Sequence, residues 1–176
     1  CGRSGWRKRG APLRRWGREL PPPRAILAVS AHWEEVPLTI GTTETRDLVY
    51  DFSGFPDELY KVRYPAPGAP WLAERVAALL PGREVRRSDR GLDHGVWTPL
   101  VHLYPEADVP VLQLSMPGTD SAAALFDLGR SLAPLRDEGV LVLGSGNLVH
   151  NLRRLEWHDR AAPQLWASEF DAWIAE

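Results

Sequence analysis

Cysteine and methionine are nearly absent from this chain of 176 residues, which contains one of each. A single cysteine, Cys1, excludes a disulfide framework and is typical of a reducing compartment, so we expect a cytoplasmic protein. No apolar run approaches the ~20 residues that a helix needs to cross a bilayer, and we expect no membrane partner. The basic N-terminus also lacks the apolar segment of a secretory signal.

Several common catalytic signatures are missing as well. The sequence contains no Gly-x-Ser-x-Gly elbow, no glycine-rich phosphate loop and no His-Glu-x-x-His motif. These absences argue against the serine hydrolases, nucleotide-binding enzymes and zinc proteases that carry those motifs. Cys1 is terminal and has no evident base beside it, so it is a poor candidate for a nucleophile.

The composition is that of an ordinary globular protein, with 44% hydrophobic and 25% charged residues. The net charge of -2 hides an asymmetry, because residues 1–24 hold eight basic side chains against the single acidic Glu19. We therefore expect a basic leader over residues 1–24, partly disordered or forming a short helix, followed by one domain over residues 25–176. A basic arm can bind nucleic acid. Nothing else in the composition indicates a nucleic-acid module, and we expect no such partner.

Apolar runs alternate with segments of helical spacing along the chain. Strands are predicted at 24–30, 38–43, 84–87, 109–115 and 140–144. Helices are predicted at 16–20, 70–80 and 97–104, from Asp120 or Ser121 onward, and from Pro163 onward, with Pro134 kinking or ending the fourth. This alternation predicts an α/β domain of three layers, in which a central, largely parallel or mixed sheet is flanked by helices.

Three of the five histidines occupy positions typical of an active site. His32 and His150 each directly follow a predicted buried strand, and His94 lies in a glycine-flanked loop before a predicted helix. Because the carboxyl ends of parallel strands meet at one edge of a sheet, these histidines can converge and bind zinc, iron or copper. The alternative is that each is a structural histidine hydrogen-bonded to backbone. His102 and His158 are interpreted as surface or packing residues.

The last predicted strand delivers a further polar cluster to the same edge. Two glycines follow its apolar run and permit a tight turn, after which come Ser145, Asn147, His150 and Asn151. We interpret this stretch as one wall of the active site.

Five segments, in this order, resemble the class III extradiol ring-cleavage dioxygenases, and in particular the 4,5-DOPA extradiol dioxygenase branch of bacteria and plants: Ser30–Trp33, Asp51–Pro56, Tyr64–Gly68, Gly91–Trp97 and Gly144–Leu152. The similarity extends from about Trp16 to the last residue. Five motifs in the family's order are far more specific than any one histidine.

The resemblance implies a metalloenzyme that opens the ring of a catechol such as L-DOPA with O₂, giving a semialdehyde. Members bind one divalent metal, Fe(2+) for ring cleavage, while some bacterial members are described with Zn(2+). The resemblance makes His32 a metal ligand and His150 an acid/base residue or a ligand. It places His94 in the same pocket, where it steers substrate and oxygen and could supply a proton. A homo-oligomer is compatible with this expectation.

The chain departs from the family pattern at two places. The family has a metal-ligating histidine in a His-Gly-Ser-Pro motif after its first strand, whereas no histidine precedes His32 here. The family also continues past the position of Glu176, with a further histidine in a His-Pro segment. The sequence is a fragment, an inactive truncated relative, or a chain that borrows ligands from another subunit, and we favour the first. We expect these 176 residues alone to bind metal weakly, because few ligands remain.

Two other functions fit the same residues. An inactive relative could bind an aromatic ligand or a partner subunit, for which the eight tryptophans and the aromatic loop would serve. This loop spans residues 50–68, and its aromatic side chains predict a packed lid or pocket wall. Zinc-dependent hydrolysis is the second, and it would need a carboxylate as base, for which Asp93 is the candidate.

Overall fold

The structure, a computed structural model, describes residues 10–147, 149–154 and 162–176. The chain divides into two compact units, Cys1–Ser145 and Gly146–Glu176. In the described part of the chain, no helix is both long and apolar enough to cross a membrane.

A five-stranded sheet forms the centre of the first unit. Its strands are β1 Ala25–Glu34, β2 Leu38–Ile40, β3 Val85–Arg87, β4 Val111–Met116 and β5 Val140–Ser145. Their order in the sheet is β3-β2-β4-β1-β5. Strand β1 pairs in parallel with both β4 and β5, and β2 pairs in parallel with β3. The β2–β4 pair is antiparallel, so the sheet is mixed.

The helices of the first unit are α1 Ala11–Glu19, α2 Pro70–Ala78, α3 His94–Leu103, α4 Ala122–Leu132 and α5 Pro134–Asp137, with a 3₁₀ helix at Leu59–Lys61. The second unit contains a 3₁₀ helix at Leu152–Arg154 and α6 at Leu165–Ala175. Proline opens α2 and α5, where its missing N–H costs no hydrogen bond. Ser121 caps α4 as predicted, and α4 ends before Pro134, which confirms the predicted break.

Two apolar clusters cover the two faces of the sheet. Successive residues of β1 alternate between them, with Ala25 and Leu27 in one cluster and Ile26 and Ala28 in the other. Helix α2 packs its apolar residues into the first cluster, and α3 packs Trp97 and its neighbours into the second. The predicted three-layer α/β domain with a mixed sheet is therefore confirmed.

Two predictions about the strands differ from the structure. Strand β1 extends to Glu34, so His32 lies within the strand and does not follow it. The strand predicted at 140–144 was expected to be buried, but β5 lies at the edge of the sheet and Val142 is 41% exposed. An apolar run does not show whether a strand is central or lies at the edge of the sheet, because the number of neighbouring strands depends on residues that are distant in sequence.

The helix that carries His94 also begins earlier than predicted. His94 is the first residue of α3 and not a loop residue, because Asp93 caps the helix. The prediction placed this helix start at Trp97, three residues later.

A bidentate ion pair connects α2 to the residue after α5. The Arg75 guanidinium donates from Nη2 to Glu138 Oε1 at 2.7 Å and from Nε to Glu138 Oε2 at 3.1 Å. These hydrogen bonds lower the pKa of the Glu138 carboxyl from its usual 4.5, although desolvation acts in the opposite direction. Because the carboxylate is favoured in the folded state, the stabilisation is complete above about pH 4.5 and is lost as the pH falls through the lowered value.

The substitution Glu138→Gln is therefore expected to lower the midpoint of thermal unfolding at pH 7 and to lower it less at an acidic pH below the lowered pKa of this carboxyl, where the wild-type carboxyl is protonated as well. Thermal unfolding followed by circular dichroism at both pH values measures this. Glu74→Gln is the matched control, because Glu74 makes one exposed contact, with Arg87. A Glu138→Gln effect of equal size at both pH values would contradict the electrostatic origin.

Candidate functional site

Two histidines and an aspartate meet beside the carboxyl-terminal part of β1. His32 comes from the strand, His94 from the first turn of α3, and Asp51 from the long connection between β2 and the 3₁₀ helix at Leu59–Lys61. These residues are separated by up to 62 positions in sequence (94 − 32), yet the ring centroids of His32 and His94 lie 4.0 Å apart. The predicted convergence of these two histidines is confirmed.

Asp51 joins the two imidazoles. Its Oδ1 lies 2.6 Å from His94 Nδ1 and accepts a second hydrogen bond from the backbone N–H of His94 at 3.2 Å. Its Oδ2 lies 3.5 Å from His32 Nδ1. Because Asp51 occupies Nδ1 of His94, Nε2 is the ring nitrogen that remains for a ligand or for proton transfer.

The electrostatic surroundings favour the charged form of Asp51. Burial acts to raise the pKa of this carboxyl, but hydrogen bonds from the side chain and backbone of His94 outweigh it, and the pKa lies below its ordinary value. Asp51 is therefore a carboxylate at neutral pH, available to orient an imidazole or to bind a cation.

The first turn of α3 is held by a buried network around Asp93. The Asp93 side chain has no solvent exposure and accepts the backbone N–H of Val96 at 3.2 Å, as the helix cap. Gln113 on β4 donates from Nε2 to Asp93 Oδ2 at 2.5 Å, and its Oε1 accepts the Asp93 backbone N–H at 3.2 Å. This reciprocal pair fixes the backbone immediately before His94 to the centre of the sheet.

A close approach to β1 and β5 completes the placement of α3. A Cβ atom at Gly95 would collide with Ser30 Oγ, so only glycine fits this position. The same Ser30 hydroxyl accepts the backbone N–H of His32 at 3.1 Å. Ser145 at the end of β5 donates to the Gly95 carbonyl at 2.5 Å.

An aromatic pocket of about 220 Å³ opens next to His94. The ring of Phe52 lies 5.2 Å from the His94 ring, edge to face. The pocket is lined by Phe52, Phe55, Leu59, His94, Trp97 and Thr98. The predicted interpretation of the aromatic loop as a pocket wall agrees with this arrangement.

The other three histidines, His102, His150 and His158, are not members of this cluster as the structure describes it. His102 is 5% exposed and lies 3.4 Å from Arg14, so it is a packing residue, and burial together with the Arg14 charge lowers its pKa. His150 belongs to the second unit, and its predicted role stays a prediction. His158 lies outside the described residues.

Asp51 is the member of the cluster that the sequence did not single out as a site residue. It begins the motif Asp51–Pro56, and a charged residue before such an aromatic run was the available signal. Asp93, in contrast, was a candidate base for hydrolysis. Its complete burial and its use as a helix cap remove it from that role.

The cluster has the donor chemistry of a metal site. One ligand atom from each of His32, Asp51 and His94 lies within 4.8 Å of the others. Imidazole and carboxylate ligands with open positions are typical of non-haem iron in oxygen-activating enzymes, and imidazole also suits zinc. The residues present therefore fit a divalent cation of this kind.

Comparison with known proteins agrees with this chemistry. The family model described as the catalytic LigB subunit of aromatic ring-opening dioxygenase matches residues 6–176. The chain is 45% identical over 160 residues to a protein of Escherichia coli K12 named 4,5-DOPA dioxygenase extradiol. It is 42% identical over 178 residues to a Portulaca grandiflora protein of the same name.

The alignments cover 90% and 98% of this chain but only 59% and 62% of those relatives. The chain thus spans about three fifths of the length of the curated relatives it matches. A crystal structure of an uncharacterized Escherichia coli K12 protein superimposes with a TM-score of 0.81 at 40% identity, covering 94% of this chain and 64% of that one.

Proposed function

This chain belongs to the LigB family of aromatic ring-opening dioxygenases, and on that premise we propose that it carries part of a site that opens catechol rings with O₂. The observation that carries the proposal is the cluster of His32, Asp51 and His94 beside an aromatic pocket. The names of the relatives support a catechol such as L-DOPA as substrate.

We assign the metal-binding role to His32 and Asp51, with His150 as a further ligand or acid/base residue on the grounds of the resemblance. When bound, a divalent cation supplies Lewis acidity and a common meeting point for catechol and dioxygen. Fe(2+) is the metal proposed for ring cleavage, and Zn(2+) fits the same donors.

His94 is proposed as the residue that moves protons. A catechol must lose at least one hydroxyl proton to chelate a metal, and an imidazole that titrates near neutral pH is the natural acceptor. Nε2 of His94 is free for this task because Asp51 holds Nδ1 at 2.6 Å. The Asp51 carboxylate then stabilises the imidazolium, as a carboxylate does beside a catalytic histidine.

The test is an aerobic incubation with Fe(II) and L-DOPA or a simple catechol, followed by the yellow colour of the ring-opened product. Two proteins are compared: the 176-residue chain, and a chimera in which it is completed with the segments of the Escherichia coli relative that it does not cover. We expect colour from the chimera and none from the chain alone, because the chain spans 59% of that relative and the resemblance implies further ligands in the segments that it does not cover.

The intact Escherichia coli relative serves as the positive control, and the chimera treated with a chelator serves as the negative one. A chimera that folds and binds iron but opens no ring, while the intact relative is active, would reject the proposal.

A further inference from the structure

The two edges of the sheet, as the described residues form it, are built differently. One edge is β3, a strand of three residues that includes Arg86 and Arg87, each paired with a glutamate. The other edge is β5, which has six residues and no charged side chain. Soluble proteins protect a free edge with short strands and charges, because its unpaired N–H and C=O groups otherwise pair with another chain. Strand β3 has this protection and β5 lacks it.

We infer that the free edge of β5 is a docking site for one further strand, apolar on both faces, from the part of the relatives that the match does not cover. The alignments cover 59% and 62% of the two curated relatives and 64% of the solved Escherichia coli chain, so more than a third of each lies outside the match. Docking of this strand completes the sheet and does not require that the site opens catechol rings.

One face of β5 is incompletely covered. Val142 is 41% exposed and lines a groove between the sheet and α4. The other walls of this groove include apolar residues of the sheet and of α4: Leu27, Leu114, Leu125, Leu128 and Leu132. A strand that docks along β5 places every second side chain on this face of the sheet. Apolar side chains at those positions are favoured, because they remove the leucine surface of the groove from water.

A second groove lies against the opposite face of β5. Leu141 lines it, together with Pro21–Pro23 before β1 and with Tyr104 after α3. Val142 and Arg136 line both grooves, so the two grooves meet around the free edge of the strand. Because the side chains of a strand alternate between two faces, one strand paired with β5 reaches both grooves. A docked helix would leave the backbone groups of this edge unpaired, and for that reason the occupant is a strand.

Backbone hydrogen exchange, measured by NMR, tests the docking. The 176-residue chain is compared with the chimera that carries the uncovered segments of the Escherichia coli relative. We expect the β5 amides that point away from β1 to exchange at least about a hundredfold more slowly in the chimera, because they gain hydrogen bonds to the docked strand. Strand β3, the other edge, is the matched control, and its outer amides should change by less than about threefold.

The variant Val142→Lys separates the two proteins by stability. In the chimera the lysine is buried under the docked strand without a counter-charge, so we expect the unfolding midpoint to fall by roughly 5 °C or more. In the 176-residue chain Val142 is 41% exposed, and the midpoint should change by less than about 2 °C. Val36→Lys, the same substitution at a 57% exposed position between β1 and β2, should shift neither midpoint by more than about 2 °C.

Equally fast exchange of β5 in both proteins would overturn the inference. Slow exchange of the outer β5 amides already in the 176-residue chain would also overturn it, and a dimer in analytical ultracentrifugation would then identify a second copy as the occupant. If the chimera does not fold, the intact Escherichia coli relative is measured instead. Its segment aligned with β5 should exchange slowly, and fast exchange there would overturn the inference.

Discussion

Replacing His94 by alanine is expected to slow ring opening by about 10²–10⁴-fold, the range that a positioned general acid or base contributes. The effect follows from the pairing with Asp51 at 2.6 Å, which leaves Nε2 as the nitrogen that exchanges protons with the substrate. The measurement is the initial rate of yellow product in the iron-loaded chimera, as kcat and KM separately. We expect the loss in kcat/KM, because the proposed proton transfer accompanies the binding of the catechol.

Two further variants separate this role from a structural one. His94→Gln keeps a polar side chain at the start of α3 but cannot carry a proton at neutral pH, so it should be as slow as the alanine variant. Phe126→Ala, on α4, should retain full activity. Both His94 variants should still unfold cooperatively, although with a lower midpoint than the wild type, because this side chain is only 25% exposed and pairs with Asp51. A His94→Ala rate within tenfold of wild type would remove the residue from the mechanism.

Replacing Asp93 by alanine is expected to destabilise the fold by about 3 kcal/mol. The loss of a helix cap costs ~1 kcal/mol, and stranding the buried amide of Gln113 costs a further ~1–3 kcal/mol. The side chains of both residues are almost entirely buried, so water cannot replace the lost hydrogen bonds. Urea unfolding of the 176-residue chain, followed by circular dichroism, measures the difference.

Ser121→Ala provides the matched control, because Ser121 caps α4 with the same bond, to Ala124 N–H at 3.2 Å, but in an exposed position. It should cost no more than ~1 kcal/mol. Asp93→Asn, which keeps an acceptor for the cap, should fall between the two. If Asp93→Ala cost no more than Ser121→Ala, the pairing with Gln113 would be energetically unimportant.

Much of the architecture was predictable because its signals are local. The apolar run of β1, the proline that opens α2 and the proline that follows α4 act over a few residues, and each folds as its pattern indicates. The meeting of His32 and His94 was also predicted, because the carboxyl ends of parallel strands lie on the same side of a sheet. The exact starts of elements were less predictable. Asp93 caps α3 at a point where the sequence showed only a glycine-rich loop.

The local patterns of the chain established the α/β layering, the aromatic loop and two of the three clustered side chains, because these depend on periodicity and on motifs read within short windows. The folded molecule was needed to bring Asp51 onto both imidazoles and to turn Asp93 from a candidate base into a buried cap. Those assignments depend on pairings across 43 residues, from Asp51 to His94, and across 20, from Asp93 to Gln113. No periodicity encodes such pairings, because they arise only when separate strands and loops pack against one sheet.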